Sequence, residues 1–261
     1  MLGAKDAMAA AEAKPRKRDR VKARAKRYMT VPLAVRTADL PKRAASAAIM
    51  LAIAGEAVWQ GGVALRAFIA LVAFACFVEF VLLVRRATRK LPYRLLWTVA
   101  GAAYIGLAAW GLAELDQYHL VAVLGIVIFT DSCAYFAGRA IGGPKIAPRI
   151  SPSKTWAGLA GGMAGSAVWL AAYMALAHNA GGAVRLADSF AISSGEAAAW
   201  ALGGALLAIA AQAGDFFESW LKRRAGKKDS SNLIPGHGGV FDRVDGLLPV
   251  ALIVGLVAAF A

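Results

Sequence analysis

The chain has 261 residues, 59% of them hydrophobic, with a mean hydropathy of +0.55 and a formal net charge of +14. Soluble domains average about 45–50% apolar residues, so this composition excludes an ordinary soluble fold. It predicts an all-α, polytopic integral membrane helical bundle over residues 41–261, behind a basic tail over residues 1–40. The cations cluster between apolar runs and no nucleic-acid-binding module is present. The positive balance therefore points to a bilayer with anionic headgroups and to phosphate substrates, and the expectation is no nucleic acid.

Residues 1 to about 30 are rich in Ala, Lys and Arg, with cations dense from Lys14 through Arg27 and no apolar core. They read as neither a secretory signal nor a spanning helix. A disordered or surface-bound cytoplasmic tail is expected, with an organelle transit peptide as the alternative. Cys76 and Cys133 lie in apolar runs without a CxxC pair, which argues against disulfide or zinc chemistry.

Seven apolar segments follow, at about 44–59, 62–84, 95–113, 119–138, 156–177, 197–220 and 246–261. Several sit near the lower limit of roughly 17–25 residues for a span. With the N-terminus cytoplasmic, the tail, Arg85 to Lys90, the Arg139 to Lys154 loop and the Lys222 to Arg243 loop share one side; Arg66 and Arg185 fall opposite. This asymmetry predicts the orientation and puts the candidate chemistry on the cytoplasmic side, with a bacterial inner (plasma) membrane as the expected location. Glu56 is near the outer end of its segment. Glu79 lies deeper, near the inner end of the second, where packing or snorkelling is as open as a functional role.

The fourth segment carries Asp131 near mid-helix, where a carboxylate needs a partner, a cation or a proton. The following loop supplies Gly142, Gly143 and Lys145, then Ser151, Lys154 and Thr155. Glycines permit close approach and cations suit phosphate; hydroxyls just before the next helix suit phosphate too, or simply cap that helix. In the fifth segment Gly158, Gly161, Gly162 and Gly165 have the small-xxx-small spacing of closely packed helices. Asp188, Ser193, Ser194 and Glu196 read as helix caps in an outer loop.

The richest stretch runs from Gln212 to Asp245. On a helix continued to Leu221, Asp215, Glu218, Ser219 and Lys222 form one stripe. Asp242 and Asp245 open the last apolar segment three residues apart. Between the two acidic groups lie Lys222, Arg223, Arg224, Lys227 and Lys228, then the turn Pro235-Gly236-His237-Gly238-Gly239, with Arg243 beside Asp242. Carboxylates suit a hard divalent cation, and Lys and Arg neutralise phosphate. Positive-inside topology would explain the cations alone; it does not explain Asp215, the turn or the Asp242/Asp245 pair.

Ser219 through Asp245, some 27 residues with the Lys222-Arg223, Lys228-Asp229, Pro235 to Gly239 and Asp242-Arg243-Val244-Asp245 positions in order, resembles the signature of the phosphatidate cytidylyltransferases, also called CDP-diacylglycerol synthases. Asp131 with Ala134-Tyr135-Phe136 and Gly138-Arg139, followed by Ser151-Pro152 and Lys154-Thr155-Trp156, is similar to that family's second motif. Departures are Ser153, where a basic or amide residue is common, Ala157, where Glu is usual, and a stretch before Asp131 that is short by one or two spans. The resemblance implies transfer of the cytidylyl group of CTP to phosphatidate, with magnesium and room for a second ion such as potassium. It implies Asp215 and Asp242 as foremost metal ligands, with Asp131 and Asp245 as further acidic members. Lys222, His237 and Arg243 join Asp215 and Asp242 as catalytic candidates. Ser151, Lys154, Thr155, Ser219, Arg223, Lys228, Asp229, Gly238 and Gly239 are the substrate-binding candidates. A homodimer is allowed. A turn-stabilising role for His237 stays open.

Two polyanions must meet in such a reaction, so positioning and charge neutralisation should supply most of the rate. There is no Walker-type GxxxxGK[ST] and no GxGxxG fingerprint. The alternatives are a CTP-dependent polyprenol or lipid kinase and a non-enzymatic transporter or scaffold. CDP-alcohol phosphotransferases are disfavoured because their D-x-x-D-G motif does not occur.

Overall fold

The computed structural model describes residues 40–179 and 194–260. Its helices are α1 (Leu40–Gln60), α2 (Gly62–Ala87), α3 (Leu91–Glu114), α4 (Gln117–Ala140), α5 (Trp156–Asn179), α6 (Ser194–Arg224), the short α7 (Phe241–Val244) and α8 (Leu247–Phe260). A hairpin of β1 (Lys145–Ala147) and β2 (Ser151–Thr155) joins α4 to α5. Each of the seven predicted apolar segments appears as a helix. Five are long and apolar enough to cross a membrane: Gly62–Ala87, Leu91–Glu114, Gln117–Ala140, Trp156–Leu176 and Gly195–Arg224. α8 is apolar but shorter. The fold is an all-α polytopic membrane bundle. The basic tail, Arg185, Asp188 and Ser193 lie outside the described residues.

Small residues set the closest helix contacts. A Cβ on Gly162 would lie 2.9 Å from the Thr130 carbonyl oxygen, and one on Gly158 would lie 3.0 Å from that of Ala134. α4 and α5 therefore meet backbone to backbone, and the glycine spacing serves packing. The same seam holds hydroxyls: the Thr130 and Ser166 oxygens lie 2.6 Å apart and both reach the Ile126 carbonyl, so one hydroxyl donates to that carbonyl and the other to its neighbour. Outward, Leu71, Phe74, Leu202 and Leu206 stay exposed, as expected of side chains facing hydrocarbon.

The hairpin is a small strand element within the helical design. Lys145 pairs with Thr155 and Ala147 with Ser151, antiparallel. Gly142 and Gly143, both at positive φ, let the chain leave α4 and turn back. The hairpin is thereby placed beside the end of α6, where the Arg223 Nε donates to the Ile150 carbonyl at 3.3 Å.

Candidate active site

The acidic centre begins with a close helix approach. A Cβ on Gly214 would lie 2.7 Å from Pro249 Cγ, so the absence of a side chain lets the start of α8 sit against α6. Asp245 is thereby brought to Asp215 and Glu218, with one carboxylate oxygen from each within 4.8 Å of the others. Glu218 is 1% exposed. Its Oε2 accepts Lys222 Nζ at 2.5 Å, while its Oε1 is buried without a hydrogen-bond partner among the described residues. Burial, then the neighbouring Asp215, push the Asp245 carboxyl above the usual carboxylate range. Asp215 forms an ion pair with Lys154, and Ser219 Oγ reaches Asp215 Oδ1 at 3.5 Å.

Asp242 stands outside this trio. Its Oδ1 accepts Lys222 Nζ at 2.6 Å; its Oδ2 accepts the Ser230 amide, the Ser230 hydroxyl and the Gly239 amide, each at 2.9 Å. Lys222 thus bridges Glu218 and Asp242. Burial works to raise the Asp242 carboxyl, but contacts with Glu218 and Lys222 and the two amides outweigh it and hold it below the usual range. At Gly239 a Cβ would collide with Ser230 Oγ and Glu79 Oε2.

That second contact reveals an anchor. Glu79, on α2 and 3% exposed, accepts Ser230 Oγ at 2.8 Å, Ser231 Oγ at 2.6 Å, the Val240 amide at 3.0 Å and the Phe241 amide at 2.9 Å. One buried carboxylate therefore fixes both sides of the basic loop and the start of α7.

The turn from Pro235 to Gly239 is closed by the Ile234 amide donating to the Gly238 carbonyl at 2.8 Å, with Gly236 and Gly238 at φ 76° and 81°. His237 Nδ1 shares a 2.7 Å hydrogen bond with Ser46 Oγ of α1. Arg243 donates to the His237 carbonyl through Nε at 3.1 Å and Nη2 at 2.5 Å. Lys228, Asp229, His237 and Arg243 line a cavity of about 490 Å³. A second cavity, of about 370 Å³, is lined by Arg139, Lys145, Ser153, Lys154, Thr155 and Gln212. Thr155 Oγ1 accepts the Gly158 amide at 3.0 Å, the capping role, and Ser151 is buried in the hairpin. Asp131 interacts electrostatically with Lys154 and Asp215 from α4. A third cavity, apolar and about 340 Å³, lies beside Gly214 between Trp97, Tyr104 and Phe217.

The structure thus brings together Asp215 and Asp245, and Lys222 with Asp242, as two linked groups. Glu218 joins the first. Its place three residues after Asp215 was visible in the helical stripe, but its role as a third oxygen donor was not assigned. For Glu79 the sequence leaves packing or snorkelling as open as a functional role and does not point to the loop it anchors. Arg43 and Ser46 of α1 gave no signal, because what they touch lies about 190 residues away in sequence.

The sequence profile of the Cytidylyltransferase family matches residues 116–261, more than half of the chain. The chain belongs to this family. A phosphatidate cytidylyltransferase of Brucella suis is 43% identical over 171 residues, 62% of this chain and 57% of the relative. One of Pseudomonas aeruginosa is 41% identical over 147 residues, 54% of this chain and 49% of the relative. One of Thermotoga maritima is 39% identical over 121 residues, 46% of this chain and 42% of the relative. The chain spans about half the length of the curated relatives it matches. The family match runs from the start of α4 through α8, and so contains the acidic trio, the hairpin and the glycine turn. α1 and α2, with Arg43, Ser46 and Glu79, precede it.

Proposed function

We propose that this chain transfers the cytidylyl group of CTP to phosphatidate, releasing pyrophosphate and forming CDP-diacylglycerol, at the cytoplasmic face of a bacterial inner membrane. The observation that supports this best is the trio Asp215, Glu218 and Asp245, linked through Lys154 to one cation-lined cavity and through Lys222 and Asp242 to another. The charge asymmetry of the loops supports the orientation.

The donor set fits a hard divalent cation, for which magnesium is the natural choice. Three carboxylates offer oxygens at one point, and the buried Glu218 Oε1 has no hydrogen-bond partner among the described residues. Asp215, Glu218 and Asp245 would hold the ion, with Asp242 on the far side of Lys222 and Asp131 beside Lys154 completing the acidic surroundings. When bound, such an ion supplies charge neutralisation at phosphate oxygens.

The rest falls to the protein's own groups. The attacking phosphatidate oxygen is already anionic, so no general base is required. It forms a bond to the α phosphorus of CTP as the bond to the β-phosphate oxygen breaks and pyrophosphate leaves. Arg139, Lys145 and Lys154 face one cavity, and Lys228 and Arg243 the other, so cations flank the carboxylates on two sides and lower the repulsion between the substrates. The apolar cavity beside Gly214 offers volume for hydrocarbon one residue from Asp215. Purified protein given phosphatidate, magnesium and CTP labelled at either phosphorus tests the reading. Label from the α position should enter lipid; label entering only from the γ position would assign a lipid kinase, and no transfer of either would end the proposal.

A further inference from the structure

The cavity beneath the glycine turn is closed by a residue from outside the family match. Arg43, in the first turn of α1, lines it together with Lys228 and Arg243. A Cβ on Gly236 would lie 2.9 Å from Arg43 Cγ, so the aliphatic stem of the arginine rests directly on the turn. Ser46, one turn along α1, donates to the Arg43 carbonyl at 3.0 Å and shares the 2.7 Å hydrogen bond with His237 Nδ1, tying the helix to the turn.

The charges around this cavity are not neutralised internally. Among the described residues no carboxylate lies within ion-pair distance of Arg43, Lys228 or Arg243, although Asp229 lines the same space. Neither the Arg43 guanidinium nor the Lys228 ammonium has a hydrogen-bond acceptor among them, and Arg243 uses Nε and Nη2 on a backbone carbonyl. Three cations converging on about 490 Å³ of polar space call for an anion with several oxygens. Arg243 adjoins Asp242, which Lys222 connects to the acidic trio, so an anion held here lies alongside the reacting centre.

We propose that Arg43, Lys228 and Arg243 form a binding site for a phosphate or polyphosphate group, with Arg43 as a substrate-binding residue supplied by α1. The proposal rests on the phosphoryl chemistry argued above. The shared chemistry has two sources, the β and γ phosphates of the nucleotide or the phosphate of the lipid.

The test uses the full chain purified in detergent, as wild type and as Arg43→Ala, Arg43→Gln and Arg43→Lys, the last two keeping the stem against Gly236 if the alanine variant fails to fold. Equilibrium binding of inorganic pyrophosphate, without other substrates, should weaken on the order of 10-fold or more in R43A and R43Q and recover in part in R43K, the scale of one charge-assisted contact. In turnover the KM should rise with kcat little changed. A rise confined to CTP assigns the site to the nucleotide, and one confined to phosphatidate in mixed micelles assigns it to the lipid. Wild-type pyrophosphate affinity in folded R43Q, with both KM values unchanged, overturns the proposal. If wild type binds pyrophosphate through Arg43 yet transfers no cytidylyl group, the site stands and the proposed reaction falls.

Discussion

Glu79 accepts the Ser230 hydroxyl at 2.8 Å and the Phe241 amide at 2.9 Å, joining α2 both to the basic loop and to the start of α7, which carries Asp242. Among the described residues four donors and no ion-paired cation surround this carboxylate, which is 3% exposed. Glu79→Gln would turn an amide N–H₂ toward groups that can only donate, or toward hydroxyls that must then reverse. A buried donor left without an acceptor costs about 1–3 kcal/mol, and more around a charged group. Glu79→Gln is expected to lower stability by about 3 kcal/mol in thermal unfolding, and to lower kcat by displacing Asp242 and Lys222. Wild-type stability and turnover in this variant would show that the loop does not depend on the anchor.

Glu218 gives the opposite contrast. Its Oε1 has no hydrogen-bond partner among the described residues, so Glu218→Gln removes an oxygen donor while leaving the Lys222 side of the group in place. Activity should fall on the order of 100-fold, with the magnesium concentration for half-maximal rate raised, while stability changes by about 1 kcal/mol or less. Asp245→Asn should show the same pattern, whereas Asp215→Asn should lose activity and some stability, because it leaves the buried Lys154 ammonium without its carboxylate. Asp242→Asn should instead lose stability together with activity, because four donors rely on that carboxylate. Equal magnesium dependence in Glu218→Gln and wild type would remove Glu218 from the ion's ligands.

The close approach at Gly214 has a separate consequence. Gly214→Ala places a methyl group in collision with the Asp245 carbonyl oxygen and 2.7 Å from Pro249 Cγ, and something must shift. Overpacking of this kind costs about 1–3 kcal/mol, and the displaced element carries Asp245 away from Asp215. Activity should therefore fall by more than stability alone explains at temperatures well below the melting point. A variant as active as wild type there would mean that the α6–α8 contact does not set the carboxylate spacing.

These contrasts mark what could be read from sequence. Apolar run lengths located every helix but the short α7, and the three-residue spacings put Asp215 and Glu218 on one face, because helical periodicity is local. The glycines of α5 announced a close helix seam for the same reason. What stayed hidden depends on contacts between distant segments. Asp242 and Asp215 look equivalent as acids at helix ends, yet Lys222 and two loop amides surround only Asp242. Glu79 and Arg43 acquire meaning only when the glycine turn folds back onto α2 and α1, and no periodicity encodes that return. The β1–β2 hairpin lay within a stretch dense in Gly and Pro, which marks turns without marking the short strand pairing between them.

Away from the site, Asp116 caps α4 by accepting the His119 amide at 2.8 Å, and pairs with the His119 ring Nδ1 at 2.8 Å. The His119 amide, foremost, holds its carboxyl below the usual 3.8, against a smaller opposing effect of burial. A group whose folded-state pKa is depressed contributes stability above its unfolded pKa and loses it as pH falls through the folded value. Replacing a capping carboxylate with Ala typically costs about 1 kcal/mol. Asp116→Ala should therefore melt below wild type at about pH 7, and the gap should narrow as the pH falls below the usual carboxylate range and through the depressed folded-state pKa. A gap that does not change with pH would show that the cap works without its charge.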